Sequence, residues 1–420
     1  MKNTNQKKQN IICILLVMAL MGFAVGFIGW LVYTKDARQI HSIVHQDFER
    51  NSGTDKKLIV SHELLRDMSV IPKSISLPYN YNELITQDLQ ENESQIAHIL
   101  NSSEQDWDTL SWYADAEDYD YLAYPLDKST KKIIECGYEE IGQTDNYQVY
   151  RRTKKERTSW LITQWGHDNT DQLMFYTFQN QQGNLIVVDG GWKHNAKTVR
   201  RIINRLGSHV DAWIITHPHP DHAGAFLEIY SNPGDITIDR VYAVDMASPA
   251  LCRENASWDD LTTYNQWLTL DIPQLTYVYN KDKFEIAGLK FHVLSAYGDH
   301  VDELSNDLIN DGSMMFKITA KRKSMLFCSD VGISMSDYIL QDAATDLKAD
   351  YIQMGHHGNG GLSHEFYQFV GAKTAFFDAP DWLMNDVNNQ YTTPENRDLM
   401  ISTGADVYHF NTAPNRFVLR

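Results

Sequence analysis

The residues best suited to chemistry form a six-residue cluster at positions 217–222, which reads His-Pro-His-Pro-Asp-His. Imidazole and carboxylate ligands suit zinc, and also manganese or iron. In an extended loop, residues two apart point to the same side, so His217 and His219 can hold one ion. Asp221 and His222 can then face a second ion. Because a polar surface turn would not need so many ligands directly after a buried-strand pattern, the cluster predicts a metal site.

Two later strand-like segments end in side chains that can complete a two-metal site. The segment 323–328 is followed by Asp330, whose carboxylate can bridge cations about 3.5–4 Å apart. The segment 349–354 leads into His356 and His357, and glycines on both sides let the backbone approach closely. Beside the first cluster, we predict that Asp330 and His357 are ligands. If such a site performs hydrolysis, His356 is predicted to contact the oxyanion or the leaving group of the substrate. Asp221 is predicted to orient the attacking nucleophile.

The elements that must position these residues alternate between strands and a helix. Residues 185–188 form a buried-strand pattern that ends in Asp189, residues 197–206 have helical spacing, and residues 212–216 form another strand pattern. Chemistry at the end of a strand in such a series indicates an α/β fold. We predict that Asp189 acts from behind the metal ligands, where it fixes the histidine loop.

The ordered motifs Asp189-Gly190-Gly191, 217–222, Asp330 and His356-His357-Gly358 resemble those of the metallo-β-lactamase superfamily over residues 158–420. Within that superfamily the chain is similar to the hydrolase domain of the competence protein ComEC and to phosphorylcholine esterases. The resemblance implies an αββα sandwich with a dinuclear site at one edge. It also implies two divalent metal ions, zinc or alternatively manganese, and hydrolysis by a metal-bound hydroxide.

Two departures from the family pattern limit what the resemblance implies. Many members place a third histidine for the first metal just before the strand that begins near residue 313, where this chain has Asn310 and Asp311. Either residue is a possible substitute ligand. ComEC-like domains have a later His-Pro pair, whereas here Thr393 precedes Pro394. The second departure weakens a transfer of nuclease activity.

The N-terminal region has the pattern of a membrane anchor. Residues 11–33 form a run of 23 residues without a charge. At about 1.5 Å per residue, a helix of this length crosses a hydrocarbon core of about 30 Å. The run is longer than the apolar region of about 7–15 residues in a cleaved signal peptide. Because lysines precede it, the sequence predicts a cytoplasmic tail at 1–10, a transmembrane anchor at 11–33, and an extracytoplasmic remainder.

Residues 34–157 are predicted to form a small α+β or helical membrane-proximal region ahead of the hydrolase domain at 158–420. The segment 104–127 mixes aromatic and acidic residues, a composition that favours core packing over a cation-binding surface. The basic runs 151–157 and 321–323 predict a linker and a hairpin turn, respectively. A net charge of −18 argues against broad nucleic-acid affinity.

These patterns together predict a membrane-anchored, metal-dependent hydrolase that acts on a phosphodiester or ester, either a small molecule or part of the cell envelope. Two alternatives stay open: a membrane-anchored binding protein with a degenerate metal site, and a cell-surface nuclease. His167, His300 and His364 are predicted to be surface residues. A disulfide between Cys136 and Cys252 is possible, but no spacing motif requires it.

Overall fold

The computed structural model describes residues 35–50, 57–60, 112, 119–126, 133–134, 137–153, 159–166, 171–410 and 414–420. The chain divides into two compact units, Met1–Glu156 and Arg157–Arg420. The predicted anchor at 11–33 lies outside the described residues. Within the described ranges, no helix combines the length and the apolar character needed to cross a bilayer.

The first unit has a helix and a four-stranded sheet, which is an α+β arrangement. Its elements are α1 (Lys35–Arg50), β1 (Lys57–Val60), β2 (Tyr119–Pro125), β3 (Tyr138–Gln143) and β4 (Tyr147–Arg152), with the sheet order β1-β2-β4-β3. In α1, Ala37, Ile40 and Val44 are buried on one face at helical spacing. In β2, Tyr121 and Tyr124 are buried, as the core-packing interpretation of the aromatic segment requires.

The basic run at 151–157 begins inside a strand, which corrects its prediction as a linker. Arg151 belongs to β4, and its guanidinium contacts the carboxylates of Asp47 at 2.9 Å and Glu139 at 3.1 Å. Because these partners are far away in sequence, the run of positive charge concealed the strand. Residues 154–158 lie outside the described residues.

The second unit contains two seven-stranded mixed sheets. The first sheet is built from β5 (Trp160–Gln164), β6 (Phe175–Asn180), β7 (Leu185–Asp189), β9 (Ala212–Ile215), β11 (Val241–Val244), β12 (Leu275–Val278) and β20 (Asn415–Leu419). Its order is β12-β11-β9-β7-β6-β5-β20. Strands β12, β11, β9 and β7 run parallel, and the others pair antiparallel. A short parallel pair, β8 (His209–Val210) and β10 (Thr237–Ile238), forms a separate ribbon.

The second sheet has the same mixture of directions. Its strands are β13 (Lys283–Ile286), β14 (Leu289–Ser295), β15 (Met315–Thr319), β16 (Ser324–Phe327), β17 (Tyr351–Gln353), β18 (Thr374–Phe377) and β19 (Asp406–His409), in chain order across the sheet. Strands β16 to β19 are parallel, and β13 to β16 pair antiparallel. The turn between β15 and β16 includes residues 321–323, as predicted.

Helices connect many of the strands, and two of them lie between the antiparallel strands β14 and β15. They are α2 (Ala196–Arg205), α3 (Pro220–Ser231), α4 (Pro249–Asn255), α5 (Thr262–Trp267), α6 (Asp299–Leu304), α7 (Leu308–Asp311), α8 (Ser336–Asp342), α9 (His364–Val370), α10 (Asp381–Asn385) and α11 (Thr393–Ser402). Helix α3 packs on the first sheet, where the rings of Trp213 and Phe226 meet edge to face at 5.1 Å. Helix α11 packs beside β19 of the second sheet.

Aromatic rings hold the two sheets face to face. Phe327 of the second sheet meets Tyr176 edge to face at 5.1 Å and Phe178 at 5.6 Å, both from the first sheet. It also stacks on Phe316 at 4.8 Å, and its side chain is fully buried. Ring pairs of this kind add to the free energy of area burial, so Phe327 is a central contact of the sandwich.

We predict that Phe327→Ala destabilises the second unit by about 3–5 kcal/mol, because it leaves a cavity between the sheets. Denaturant unfolding followed by tryptophan fluorescence measures the change. The matched control is Ile401→Ala on α11, where the side chain is 55% exposed and the expected change is within about 0.5 kcal/mol. Equal effects of the two substitutions would contradict this packing.

Candidate metal centre

The candidate site lies where parallel strands of both sheets end. Asp189 is the last residue of β7, and His217 follows β9. Asp330 and His357 follow β16 and β17 in the second sheet. Because the carboxyl ends of parallel strands share an edge, loops that are distant in sequence deliver their side chains to one place.

The histidine cluster is extended only as far as His219, which corrects the prediction that residues 217–222 form one extended loop. His219 is the N-cap of α3, with φ −72° and ψ 156°, and Pro220 occupies the first helical position. Proline fits there because the first amide of a helix needs no intrahelical acceptor. Asp221 consequently lies in the first helical turn, where the helix dipole favours a carboxylate.

Asp330 lies among the histidines of the cluster. His222 Nε2 lies 3.2 Å from Asp330 Oδ1, and His217 Nε2 lies 3.9 Å from Asp330 Oδ2. His217 Nε2 is also 3.0 Å from His219 Nδ1. The ligand atoms of His217, His222 and Asp330 all fall within 4.8 Å of one another, as an ion-binding group requires.

His357 brings a second group of ligand atoms against the same carboxylate. Its Nε2 lies 3.2 Å from Asp221 Oδ2 and 3.5 Å from Asp330 Oδ2. The ligand atoms of Asp221, His222 and His357 likewise fall within 4.8 Å. The structure therefore brings together all six residues predicted as metal ligands: His217, His219, Asp221, His222, Asp330 and His357.

Unsatisfied polar atoms at the centre of this cluster fit divalent cations. His222 Nε2, Asp330 Oδ1 and His357 Nε2 are buried, and none has a hydrogen-bond partner despite the short distances between them. A buried polar atom without a partner costs about 1–3 kcal/mol, so three that face one another need an explanation. Imidazole nitrogens and carboxylate oxygens are a donor set for zinc, manganese or iron.

The electrostatics of the cluster favour ionised carboxylates. Burial opposes the charge on Asp221, but the adjacent His357 lowers the pKa of that carboxyl to about 2. Burial likewise opposes the charge on Asp330, and nearby His222 and His357 lower its pKa well below the usual range. Burial alone would lower the pKa of His357, yet Asp330 and Asp221 raise it to about 10. The buried, ionised carboxylates of Asp221 and Asp330 are therefore stabilised by positive charge beside them.

Asp189 holds the histidine loop from behind. Its Oδ2 lies 2.8 Å from His222 Nδ1 and accepts from Thr216 Oγ1 at 2.7 Å, while its Oδ1 accepts from the Thr216 amide at 2.8 Å. The residue is fully buried and has a left-handed φ of 52°. Because the carboxylate occupies Nδ1 of His222, the opposite ring nitrogen faces Asp330.

The ligands that come from the second sheet lie in or next to residues with strained backbone. Ser329, His356 and His357 have φ values of 50°, 49° and 55°, which side chains with a Cβ rarely adopt. Gly358 follows at φ 85°, and a Cβ there would lie 2.3 Å from Phe377. Such strain persists where surrounding packing enforces it, and it is concentrated at functional sites.

The two neighbouring histidines have different environments. His357 Nδ1 lies 3.0 Å from the carbonyl oxygen of Asp378, so its Nε2 is directed at Asp221 and Asp330. His356 Nε2 lies 3.9 Å from Asp330 Oδ2, and its side chain is 36% exposed. His356 is therefore at the edge of the cluster and open to a ligand from solvent.

The two possible substitutes for the missing third histidine lie in α7 and differ sharply. Both oxygens of Asp311 are engaged: it accepts from the Gly332 amide at 2.6 Å and from the hydroxyls of Ser305 and Ser334. Asn310 donates its amide to Asp307 at 2.9 Å, while its own Oδ1 is buried without a partner. Only Asn310 of this pair keeps a free oxygen.

Two acidic residues of the site were missed from the sequence. Asp259 lies 2.9 Å from His219 Nε2 and sits in the loop between α4 and α5, where no motif marks it. Asp378 follows the apolar strand β18 and accepts from Gln164 and Tyr176, both at 2.8 Å. An acid at the end of an apolar strand also marked Asp189, so that signal was present for Asp378.

Other residues singled out in the sequence lie away from this cluster. His364 begins α9 and is 46% exposed, close to Glu395, as predicted. His300 is half-buried and stacked on Tyr338 at 4.5 Å, which corrects its prediction as a loop-surface residue. Cys252 and Cys328 are buried free thiols. His167 and Cys136 lie outside the described residues.

One protein-family model matches part of this chain. The family model of the metallo-beta-lactamase superfamily matches residues 175–238, from β6 to β10. This match and the α/β fold with two mixed sheets support a metallo-beta-lactamase superfamily domain in the second unit. No curated protein matches the chain.

Several solved structures are similar at low identity. The metallo-beta-lactamase fold protein YhfI from Bacillus subtilis is 13% identical, over 62% of this chain and 99% of that one, with a TM-score of 0.39. CmlA, a diiron beta-hydroxylase from Streptomyces venezuelae, is 14% identical over 64% and 55%, with a TM-score of 0.40. MEM-A1, a subclass B3 metallo-beta-lactamase from a soil metagenome library, is 15% identical over 47% and 76%, with a TM-score of 0.33.

We predict that Asp330→Ala lowers zinc affinity by more than about 100-fold, because Asp330 contacts His217 and His222 as well as His357. This loss exceeds the roughly 10–100-fold that is typical when a residue behind a metal ligand is removed. Competition against a chromophoric chelator measures the affinity. The control is Asp239→Ala in the exposed group His209, Asp211 and Asp239, the other place where described side chains could gather an ion. Loss of zinc binding in the control alone would place the metal at that surface group instead.

Proposed function

We propose that the second unit is a hydrolase with two divalent metal ions, zinc or manganese, that cleaves a phosphodiester or ester. The observation that carries this proposal is the set of partnerless buried atoms on His222, His357 and Asp330. Four of the six ligand residues come from loops that follow parallel strands, and Asp189 ends such a strand. The carboxyl ends of parallel strands are the usual place for ligand sites in α/β folds.

The residues divide into two groups around Asp330. His217 and His219, whose ring nitrogens lie 3.0 Å apart, would hold the first ion. Asp221, His222 and His357, whose ligand atoms lie within 4.8 Å of one another, would hold the second. Asp330 contacts histidines of both groups. Bound divalent ions lower the pKa of water and polarise a phosphoryl or carbonyl oxygen. Asp189 keeps His222 in place, and the Asp378 carbonyl does the same for His357.

His356 is the residue that we assign to the substrate. It lies beside Asp330 but is more exposed than the neighbouring His357, whose side chain is only 4% exposed. A histidine at the open edge of a metal cluster can donate to the oxyanion or protonate a leaving group.

The proposed substrate is a small molecule or a cell-envelope component rather than nucleic acid. The net charge of −18 opposes broad binding of a polyanion. Trp258 precedes Asp259 in its loop, and Trp382 lies in α10 shortly after Asp378; they are 70% and 44% accessible. These indoles offer apolar surface to the group attached to the scissile bond.

The test is hydrolysis by the full chain in detergent, loaded with zinc or manganese, of a panel of p-nitrophenyl phosphate, bis(p-nitrophenyl) phosphate, choline phosphate esters and p-nitrophenyl acetate. Activity should disappear with a chelator and in Asp221→Ala, which should also bind less metal. His356→Asn should keep both metal ions yet lower kcat by about 100-fold or more, because Asn tolerates left-handed φ but cannot replace the imidazole.

The matched control for this experiment is His364→Asn, which changes an exposed histidine at the start of α9 and should keep full activity. Unchanged kcat in His356→Asn would remove His356 from the mechanism. A purified chain that binds no metal ion and hydrolyses no substrate of the panel would instead favour the alternative of a binding protein with a degenerate metal site.

We also propose that residues 11–33 anchor the hydrolase unit at the outer face of the cell membrane. The support is the run of 23 uncharged residues preceded by Lys2, Lys7 and Lys8. The full chain should sediment with membranes, resist extraction by alkaline carbonate, and be digested by protease added outside intact cells. Recovery of the full-length chain in the supernatant after carbonate would contradict the anchor.

A further inference from the structure

Asp259 reaches the histidine cluster from a loop that no sequence motif marks. Its side chain is 6% exposed, and its Oδ1 lies 2.9 Å from His219 Nε2. Two hydrogen bonds to the backbone of Asp259 hold this loop. The Asp259 amide donates to the Ala256 carbonyl at 3.1 Å, and the Arg253 guanidinium donates to the Asp259 carbonyl at 3.1 Å. A buried carboxylate on a constrained loop is thus aimed at one nitrogen of His219.

The other nitrogen of His219 is directed at the metal cluster. His219 Nδ1 lies 3.0 Å from His217 Nε2, and the rings meet nearly edge to face, with centroids 4.8 Å apart. A neutral imidazole carries a proton on one nitrogen and a lone pair on the other. When Nε2–H donates to Asp259, the lone pair is on Nδ1, beside the lone pair that His217 Nε2 can offer.

We propose that Asp259 is a positioning residue for the first metal site, because it fixes the tautomer and ring orientation of His219 so that Nδ1 can bind the ion together with His217 Nε2. The inference rests on the proposed two-metal function. Ring nitrogens of histidine ligands are commonly fixed in this way by a carboxylate on the opposite side of the ring.

The small number of histidines in the first metal site increases the importance of the contact between Asp259 and His219. The sequence has Asn310 and Asp311 where the family pattern has a third histidine, so His217 and His219 are the two imidazoles assigned to the first ion. A two-histidine site depends on correct orientation of both rings. Asp259 is not itself placed as a ligand, because it contacts the nitrogen of His219 that faces away from His217.

The experiment compares Asp259→Ala, Asp259→Asn and Asp260→Ala in the full chain with the wild type. Zinc affinity is measured by competition with a chelator, and the His219 tautomer by ¹⁵N chemical shifts in the metal-free protein. Asp260 is the matched control, since it is adjacent and exposed and its carboxylate accepts from the Thr262 amide at 2.9 Å.

We expect wild type and Asp260→Ala to bind two zinc ions and to carry the His219 proton on Nε2. Asp259→Ala should weaken one zinc site by about 10–100-fold, leave the other unchanged, and lose the Nε2–H preference. Asp259→Asn should retain most of the affinity, because its carbonyl oxygen can still accept from Nε2–H. If Asp259→Ala fails to fold, Asp259→Leu fills the same space without an acceptor.

Each contrary result has a separate meaning. A wild-type chain that binds no zinc overturns both the proposed function and this inference. Two equally tight zinc ions in wild type and Asp259→Ala, with an unchanged tautomer, overturn only the role of Asp259. A loss in Asp259→Asn as large as in Asp259→Ala overturns the positioning role, because the asparagine oxygen can still accept from Nε2–H.

Discussion

The structure of the candidate site depends on the burial of Asp330 among imidazoles. Its carboxylate is 2% exposed and lies within 4 Å of His217, His222, His356 and His357. Removing the partner of a buried charge costs about 3–5 kcal/mol, so the fold must surround this carboxylate with positive charge. Protonated histidines can supply that charge, and divalent cations supply it while also satisfying the atoms that lack hydrogen-bond partners.

The rest of the second unit can be understood as the framework for this arrangement. Two mixed sheets direct four parallel strand ends toward one edge, and aromatic packing around Phe327 keeps the sheets together. Behind the ligands, Asp189, Asp259 and the Asp378 carbonyl each occupy the far nitrogen of a different histidine. The adjacent residues His356 and His357 both have left-handed backbone, yet one side chain is exposed and the other is enclosed.

Much of the site was predictable because its signals are local. The cluster at 217–222 and the acids or histidines that end apolar strands are visible in single short windows, and parallel strands bring such ends together. Asp259 was not predictable, since it lies 40 residues from His219 in a loop that no motif marks. The helical start at Pro220 was missed because proline stiffens loops and begins helices equally well. Arg151 lies in a run of basic residues, a pattern that favours a linker, and its partner Asp47 lies 104 residues away, outside any short window of sequence.

The most direct test of a dinuclear centre on Asp330 is anomalous diffraction from crystals of the zinc-loaded protein. Two anomalous peaks are expected about 3.5–4 Å apart, on either side of the Asp330 carboxylate. The first should lie beside His217 and His219, and the second beside His222 and His357. Absence of any peak within bonding distance of Asp330, in crystals that contain zinc elsewhere, would contradict the account.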